Sequence, residues 1–246
     1  MKLTVLGTSA AYAEAGRACS GYLISDGKTK ILLDLGSGVL SNLQRHMNIS
    51  DLNAIFISHT HPDHFLDIYG MRYLLEYDLK PERPLSVFGP KGLKETIISL
   101  QPESKAVFEN LFEFNEISEE NKIKIKDFEI STSKAKHPLP TLMYSVRSEG
   151  KNIFYTADTG AFKGLQEIVK GSDLLLCEAT YLKSASPSDV HLRTNDIAEF
   201  AQAAGISKVV LTHFWPGTDR LRSKFEVEQS FDGEVTIANE NDVLNV

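Results

Sequence analysis

Apolar and polar positions along this chain follow two rhythms. Short β-leaning apolar runs predict strands over residues 2–6, 21–25, 30–34, 54–58, 85–88, 128–133, 152–157, 173–177, 208–212 and 235–238. Lys122-Ile123-Lys124-Ile125-Lys126 alternates strictly, which predicts a half-buried strand with its lysines on one face, either a solvated face or a phosphate-binding patch. Helical segments are expected from just after Gly36-Ser37-Gly38 to about Met47, after Asp63 (where Ile68, Met71 and Leu75 recur at helical spacing), and over 92–100, 162–169, 194–204 and 219–229. Thr194 reads as an N-cap and Gly205 as the stop of its helix. Segment 105–116 fits neither rhythm. Strands interleaved with helices make this an α/β chain.

Four of the apolar runs behave alike. Those at 54–58, 152–157, 173–177 and 208–212 each deliver an ionisable side chain at the carboxyl end: His59, Asp158, Glu178 and His213. In α/β architectures that edge is where sites are built. The first run opens the densest stretch, His59-Thr60-His61-Pro62-Asp63-His64, with three imidazoles and a carboxylate within six residues. Repulsion and desolvation oppose such crowding unless a divalent metal relieves it; the alternative is a cluster of exposed surface histidines. His59 and His61 leave the strand two residues apart and point the same way, Pro62 fixes the bend, and Asp63 and His64 start the following helix. The converging N and O donors suit zinc or a similar first-row metal.

Six of the seven histidines lie in this motif or beside a strand end: His59, His61, His64, His137, His191 and His213. With Asp63 and Asp158 they offer enough donors for two metals. His46 reads as a surface residue near a helix end. Asp34, closing its strand, is a candidate partner for the outer N–H of a metal-bound imidazole. The small residues from Gly7 to Ser20 either let a ligand approach the backbone or form tight turns.

Composition narrows the class. The 246 residues have ordinary apolar content and no Pro/Ser-rich linker or low-complexity tract, so one domain spanning 1–246 is expected. No apolar run is long enough to cross a bilayer, the N-terminus lacks a signal-peptide pattern, and Cys19 and Cys177 form no disulfide framework; a cytoplasmic protein is expected. The net charge of −7 argues against a protein that grips long nucleic acid electrostatically, but not against a small anionic substrate held by metal.

The spacing His-x-His-x-Asp-His, followed by a lone His, a lone Asp and a final His, resembles the metallo-β-lactamase superfamily from the first strand to about Trp215. The resemblance implies a four-layered αββα sandwich with two divalent metal ions, Zn2+ before Mn2+, at one edge between the sheets. It makes His59, His61 and His137 the ligands of one metal, Asp63, His64 and His213 those of the second, and Asp158 the bridge. Hydrolysis by a metal-bridging hydroxide, with Asp63 among the catalytic residues, is the implied chemistry.

Cys177-Glu178-Ala179-Thr180-Tyr181 and His191-Leu192-Arg193-Thr194 look like the branch of tRNA 3′-end processing endonucleases (tRNase Z) and related phosphodiesterases. There the Glu orients the His, which protonates the leaving oxygen, and a carboxylate partner does raise an imidazole's pKa; His191 reads otherwise as a surface histidine flanking a helix. Two departures stand out. Only twenty residues separate His137 from Asp158, so the Gly/Pro-rich tRNA-binding arm is missing, and Gly160 stands where those enzymes usually show arginine. The expected substrate is therefore a small or exposed phosphodiester, a cyclic nucleotide or a short RNA end. Alternatives are tRNA 3′ processing, or carbonyl hydrolysis of the lactonase or thioesterase type, which has no need of the Glu178/His191 pair. Phe214 and Trp215 either stack a base or pack the site wall. The resemblance also implies a homodimer.

Overall fold

The computed structural model describes all 246 residues. In chain order the strands are β1 (Lys2–Gly7), β2 (Gly21–Ser25), β3 (Lys30–Leu33), β4 (Ala54–Phe56), β5 (Leu85–Gly89), β6 (Phe112–Glu116), β7 (Lys122–Ile125), β8 (Phe128–Lys134), β9 (Leu142–Ser148), β10 (Lys151–Tyr155), β11 (Leu174–Glu178), β12 (Lys208–Thr212), β13 (Glu234–Ile237) and β14 (Val243–Asn245). They form two seven-stranded sheets, ordered β14-β1-β2-β3-β4-β5-β6 and β13-β12-β11-β10-β9-β8-β7. Both sheets are mixed. In the first, β3 to β6 run parallel; in the second, β10 to β13 do.

Side-chain alternation along the strands creates three apolar layers. Leu3, Val5, Tyr22, Ile31 and Phe56 of the first sheet meet Ile130, Tyr144, Ile153, Tyr155 and Leu176 of the second. The opposite faces take helices. Leu6, Leu32, Ile55 and Val87 pack under α1 (Val39–Leu43), α2 (Ile68–Tyr73), α3 (Leu93–Leu100) and α4 (Lys105–Leu111). Phe154, Leu175, Cys177 and Val209 pack under α5 (Leu165–Val169), α6 (Thr194–Ala204) and α7 (Arg220–Glu228). The result is the αββα sandwich. Strand β11 is buried along its whole length, covered on both faces, which is why it reads as an unbroken apolar run.

Several local expectations are corrected. Segment 105–116 is α4 followed directly by β6, and strands β9 and β14 escape the sequence rhythm. Asp63 and His64 sit in a 3-10 turn, Pro62–His64, separate from α2. Arg193 caps α6, and Thr194 is its first helical residue; Asp196 accepts from the Arg193 backbone N–H at 3.1 Å. Gly205 does close that helix, in the left-handed conformation at φ 67°. The stretch between His137 and Asp158 is the β9–β10 hairpin, turned tightly by Glu149 (φ 51°) and Gly150 (φ 75°). No helix is long and apolar enough to cross a membrane.

Candidate metal centre

The carboxyl ends of β3 and β4 in one sheet, and of β10, β11 and β12 in the other, come to one edge of the sandwich. Three residues that follow these strands, Asp34 (φ 58°), Ala157 (φ 49°) and His213 (φ 51°), adopt left-handed backbone conformations, as does Ala11 (φ 58°) in the loop above them. Such conformations cost of order 1–3 kcal/mol for a non-glycine residue and persist only where surrounding structure enforces them.

All nine residues singled out in the sequence meet here. Donor atoms of His59, His61, His137 and Asp158 lie within 4.8 Å of one another, and so do those of Asp63, His64 and His213. Asp158 stands between the two groups: its Oδ2 is 3.6 Å from His59 Nε2, and its Oδ1 is 3.4 Å from His64 Nε2 and 3.3 Å from His213 Nε2. His59, Asp63, His64, Asp158 and His213 are buried, whereas His61, His137 and His191 are half-buried. No lysine or arginine lines the cleft, which holds about 300 Å3.

Three of the imidazoles, His64, His137 and His213, are held from behind. Asp34, fully buried, takes His64 Nδ1 at 2.7 Å; the same carboxylate accepts from the Ser58 N–H and hydroxyl and from the Tyr155 hydroxyl. Thr141 Oγ1 lies 3.1 Å from His137 Nδ1, and Thr180 Oγ1 lies 3.0 Å from His213 Nδ1. With Nδ1 engaged, Nε2 of His64, His137 and His213 faces the cluster. The Ala11 N–H donates to Asp63 Oδ2 at 2.7 Å.

The donor set fits divalent metal. His64 Nε2, His137 Nε2 and Asp158 Oδ1 are buried without a hydrogen-bond partner, an arrangement that is costly unless something binds there. Burial first, and repulsion from neighbouring imidazoles second, push His59 well below the ordinary range, and burial takes His137 down to about 4. A neutral imidazole with a free lone pair is the ligating form. His64 goes the other way: burial opposes its charge, but Asp158, Asp63 and Asp34 raise it well above the ordinary value. Concentrated negative charge is thus what a cation would meet.

Beside this cluster His191 Nδ1 lies 3.2 Å from Glu178 at the end of β11. Burial disfavours the charged imidazole, yet the Glu178 carboxylate raises it to about 9. Glu178 accepts from the Thr159 N–H at 2.6 Å and from the Thr180 hydroxyl at 2.5 Å, so Thr180 joins the His191 partner to the His213 ring. Gly160 has a steric reason: a Cβ there would lie 2.5 Å from the Asp189 carbonyl carbon and oxygen.

Thr141, Tyr155 and Thr180 were not singled out as site residues by the sequence; Thr180 alone carried a signal, two residues past Glu178. Of the two readings open for these aromatics, Phe214 takes the packing one: it is buried beneath the Arg220 guanidinium, 4.6 Å from its ring centroid, whereas Trp215 is 43% exposed and lines the cleft. His46 lies outside the site, with Nε2 2.9 Å from Asn241 Oδ1.

Fold and cluster together define a metallo-hydrolase of the β-lactamase fold. The chain belongs to the beta-lactamase superfamily domain family, whose model matches residues 29–214. It is 28% identical over 244 residues to the "Probable metallo-hydrolase YhfI" of Bacillus subtilis, covering 97% of each chain. The crystal structure of YhfI superposes with a TM-score of 0.90 at 26% identity, covering 99% of each chain. A Ribonuclease Z of Brevibacillus brevis is 25% identical over 285 aligned positions, covering 93% of this chain and 89% of that protein.

Proposed function

We propose that this chain is a two-metal phosphodiesterase acting on a small or exposed phosphodiester, a cyclic nucleotide or a short RNA end. The observation that carries this reading is the Glu178–His191 pair beside the histidine cluster. A ribose alkoxide expelled from phosphorus needs a proton donor, whereas a thioester expels a thiolate that leaves without one. In this reading His59, His61 and His137 hold one ion, Asp63, His64 and His213 the other, and Asp158 is shared. Imidazole and carboxylate donors favour Zn2+ over Mn2+. Two such ions, when bound, neutralise charge on the phosphate oxygens and lower the pKa of a water towards ~7.

The chain's own groups do the rest. His191 Nδ1–H points at Glu178, which leaves Nε2 to hold the proton for the departing ribose oxygen. Glu178 is fixed by Thr159 and Thr180 and keeps the ring in that orientation. The cleft of about 300 Å3 and the tight β9–β10 hairpin, in place of a tRNA-holding arm, support a small substrate. The net charge of −7 supports the same choice. Exposed Trp215 at the rim supports a stacked base.

A second reading, tRNA 3′ processing, is favoured by the likeness to the Brevibacillus Ribonuclease Z. That alignment spreads over 285 positions, more than the 246 residues of this chain, so the relative carries segments this chain lacks.

The test is a matched assay of metal-loaded protein on bis-(p-nitrophenyl) phosphate, 3′,5′- and 2′,3′-cyclic nucleotides, a tRNA precursor and an acyl lactone, with Asp63→Ala as control. Turnover of the small phosphodiesters, lost in the control, is expected. Preference for the tRNA precursor would select the second reading, and lactone turnover alone would overturn both. Weakened base preference in Trp215→Ala at unchanged metal content is expected if the indole stacks a base.

A further inference from the structure

We propose that Glu226 is a positioning residue for the His191 proton donor, its buried carboxylate clasping both ends of the loop that presents that histidine. The inference rests on the phosphodiesterase reading above.

His191 sits on neither a strand nor a helix. It is carried by the segment from Lys183 to Arg193, which contains no regular element between β11 and α6. A loop of that kind orders an imidazole only if its ends and its tip are tied down, because each free residue brings conformational entropy. The tip is tied loosely. Ser188 Oγ accepts from the Val190 and His191 N–H groups at 3.1 and 3.2 Å, and Lys136 Nζ meets Asp189 at 2.6 Å. The Lys136–Asp189 pair is solvent-exposed, so it contributes little.

The neck is tied firmly. Tyr181 N–H donates to the Leu192 carbonyl at 3.2 Å, and Thr194 N–H donates to the Tyr181 carbonyl at 3.0 Å. Glu226 lies against this neck from α7, a separate element. A single oxygen, Oε2, accepts from the Lys183 N–H at 2.9 Å and from the Thr194 hydroxyl at 2.6 Å. One donor opens the loop and the other follows its last residue. The second oxygen accepts from Arg222 Nε at 3.0 Å. The Glu226 side chain is only 3% exposed, so its hydrogen bonds are shielded from water and charge-assisted. Glu178 fixes the imidazole ring, and Glu226 fixes the backbone from which the ring hangs. Glu226 does not line the cleft and acts only through the loop.

The prediction concerns leaving groups. A displaced proton donor penalises substrates that expel an alkoxide and spares those that expel a stable phenolate, while general destabilisation penalises both alike. Metal-loaded Glu226→Ala and Thr194→Val are compared with the parent on a 3′,5′-cyclic nucleotide and on bis-(p-nitrophenyl) phosphate. Metal content and melting temperature are measured alongside, and His191→Ala is run in parallel. The expected result is a loss of about tenfold or more in kcat on the nucleotide and under about twofold on the nitrophenyl ester, at unchanged metal content. Where Glu226→Ala fails to fold, Thr194→Val decides, since it removes one clasping bond at nearly constant shape. Selective loss in His191→Ala with equal losses on both esters, or none, in the clasp variants overturns the role of Glu226 alone. Equal losses on both esters in His191→Ala overturn the proton-donor reading, and this inference with it.

Discussion

Asp34 Oδ2 lies 2.7 Å from His64 Nδ1, and both residues are fully buried. The contact fixes the ring so that Nε2, which has no hydrogen-bond partner, faces Asp63 and Asp158. Outer partners of this kind are worth about 10–100-fold in metal affinity. Asp34→Asn should therefore weaken metal binding by that factor, read by competition with a chromophoric chelator. Asp34→Ala should also unfold at markedly lower denaturant, because Ser58, His64 and Tyr155 lose their acceptor at about 1–3 kcal/mol for each group left unpaired. Unaltered affinity in Asp34→Asn would mean that His64 does not ligate.

Chelation should cost stability as well as activity. His64 Nε2, His137 Nε2 and Asp158 Oδ1 are buried without a protein hydrogen-bond partner. An ion that binds only the folded state at about a thousandfold excess over its Kd contributes about 4 kcal/mol. A chelator is expected to lower the melting temperature by several degrees, zinc to restore it, and Asp63→Ala to respond less to both. Identical melting with and without chelator would sink the metal-centre reading.

The convergence of the seven candidate ligands was legible in the sequence because four of them fall in one hexapeptide and three others follow apolar runs, where local pattern and tertiary position agree. Asp34 was legible for the same reason. The groups behind the imidazoles were not. Tyr155 lies inside β10 and reads as a core aromatic, and Thr141 sits in a loop with no rhythm. Strand β9 is interrupted by Tyr144 and Ser145, both buried by their partners rather than by pattern; β14 is a three-residue edge strand whose Val243 is half exposed. Glu226 meets Thr194 across 32 residues, a contact made by the packing of α7 on α6 and invisible to any local window.

Glu226 also predicts a pH dependence of stability. Burial pushes its carboxyl up, but hydrogen bonds from the Thr194 hydroxyl, the Lys183 N–H and Arg222 outweigh that and hold it below the usual range. An unfolded glutamate titrates near ~4.3. Since the folded pKa is the lower one, the native state binds this proton less readily than the unfolded chain. The contribution is complete above about pH 4.3 and is lost as pH falls through the folded value. The stability gap between the parent and Glu226→Gln should hold steady between neutral pH and about pH 5 and shrink below about pH 4. Urea midpoints across that range test this, and a gap that stays constant into acid would be evidence against the clasp's charge.

Gly160 makes the last prediction, because it occupies the position where the resembling endonucleases usually carry arginine. The glycine reads at first as a missing phosphate contact, yet the structure gives it a local cause. A Cβ at this position would stand 2.5 Å from the Asp189 carbonyl group and 2.9 Å from its Cα, which are backbone atoms that cannot swing away. Any side chain therefore displaces the Asp189 segment, and Asp189 is two residues before His191 in the same loop. The Lys136 ammonium that meets Asp189 also donates to the Ala161 carbonyl at 3.4 Å. Gly160→Arg should consequently fail to supply a phosphate contact. It should instead lower turnover of cyclic nucleotides about tenfold or more while sparing bis-(p-nitrophenyl) phosphate, the pattern of a displaced proton donor. Gly160→Ala should show the same selectivity, since Cβ alone makes the clash. Higher affinity for phosphodiesters in Gly160→Arg, with nucleotide turnover retained, would show that the loop yields and that the glycine is a lost contact after all.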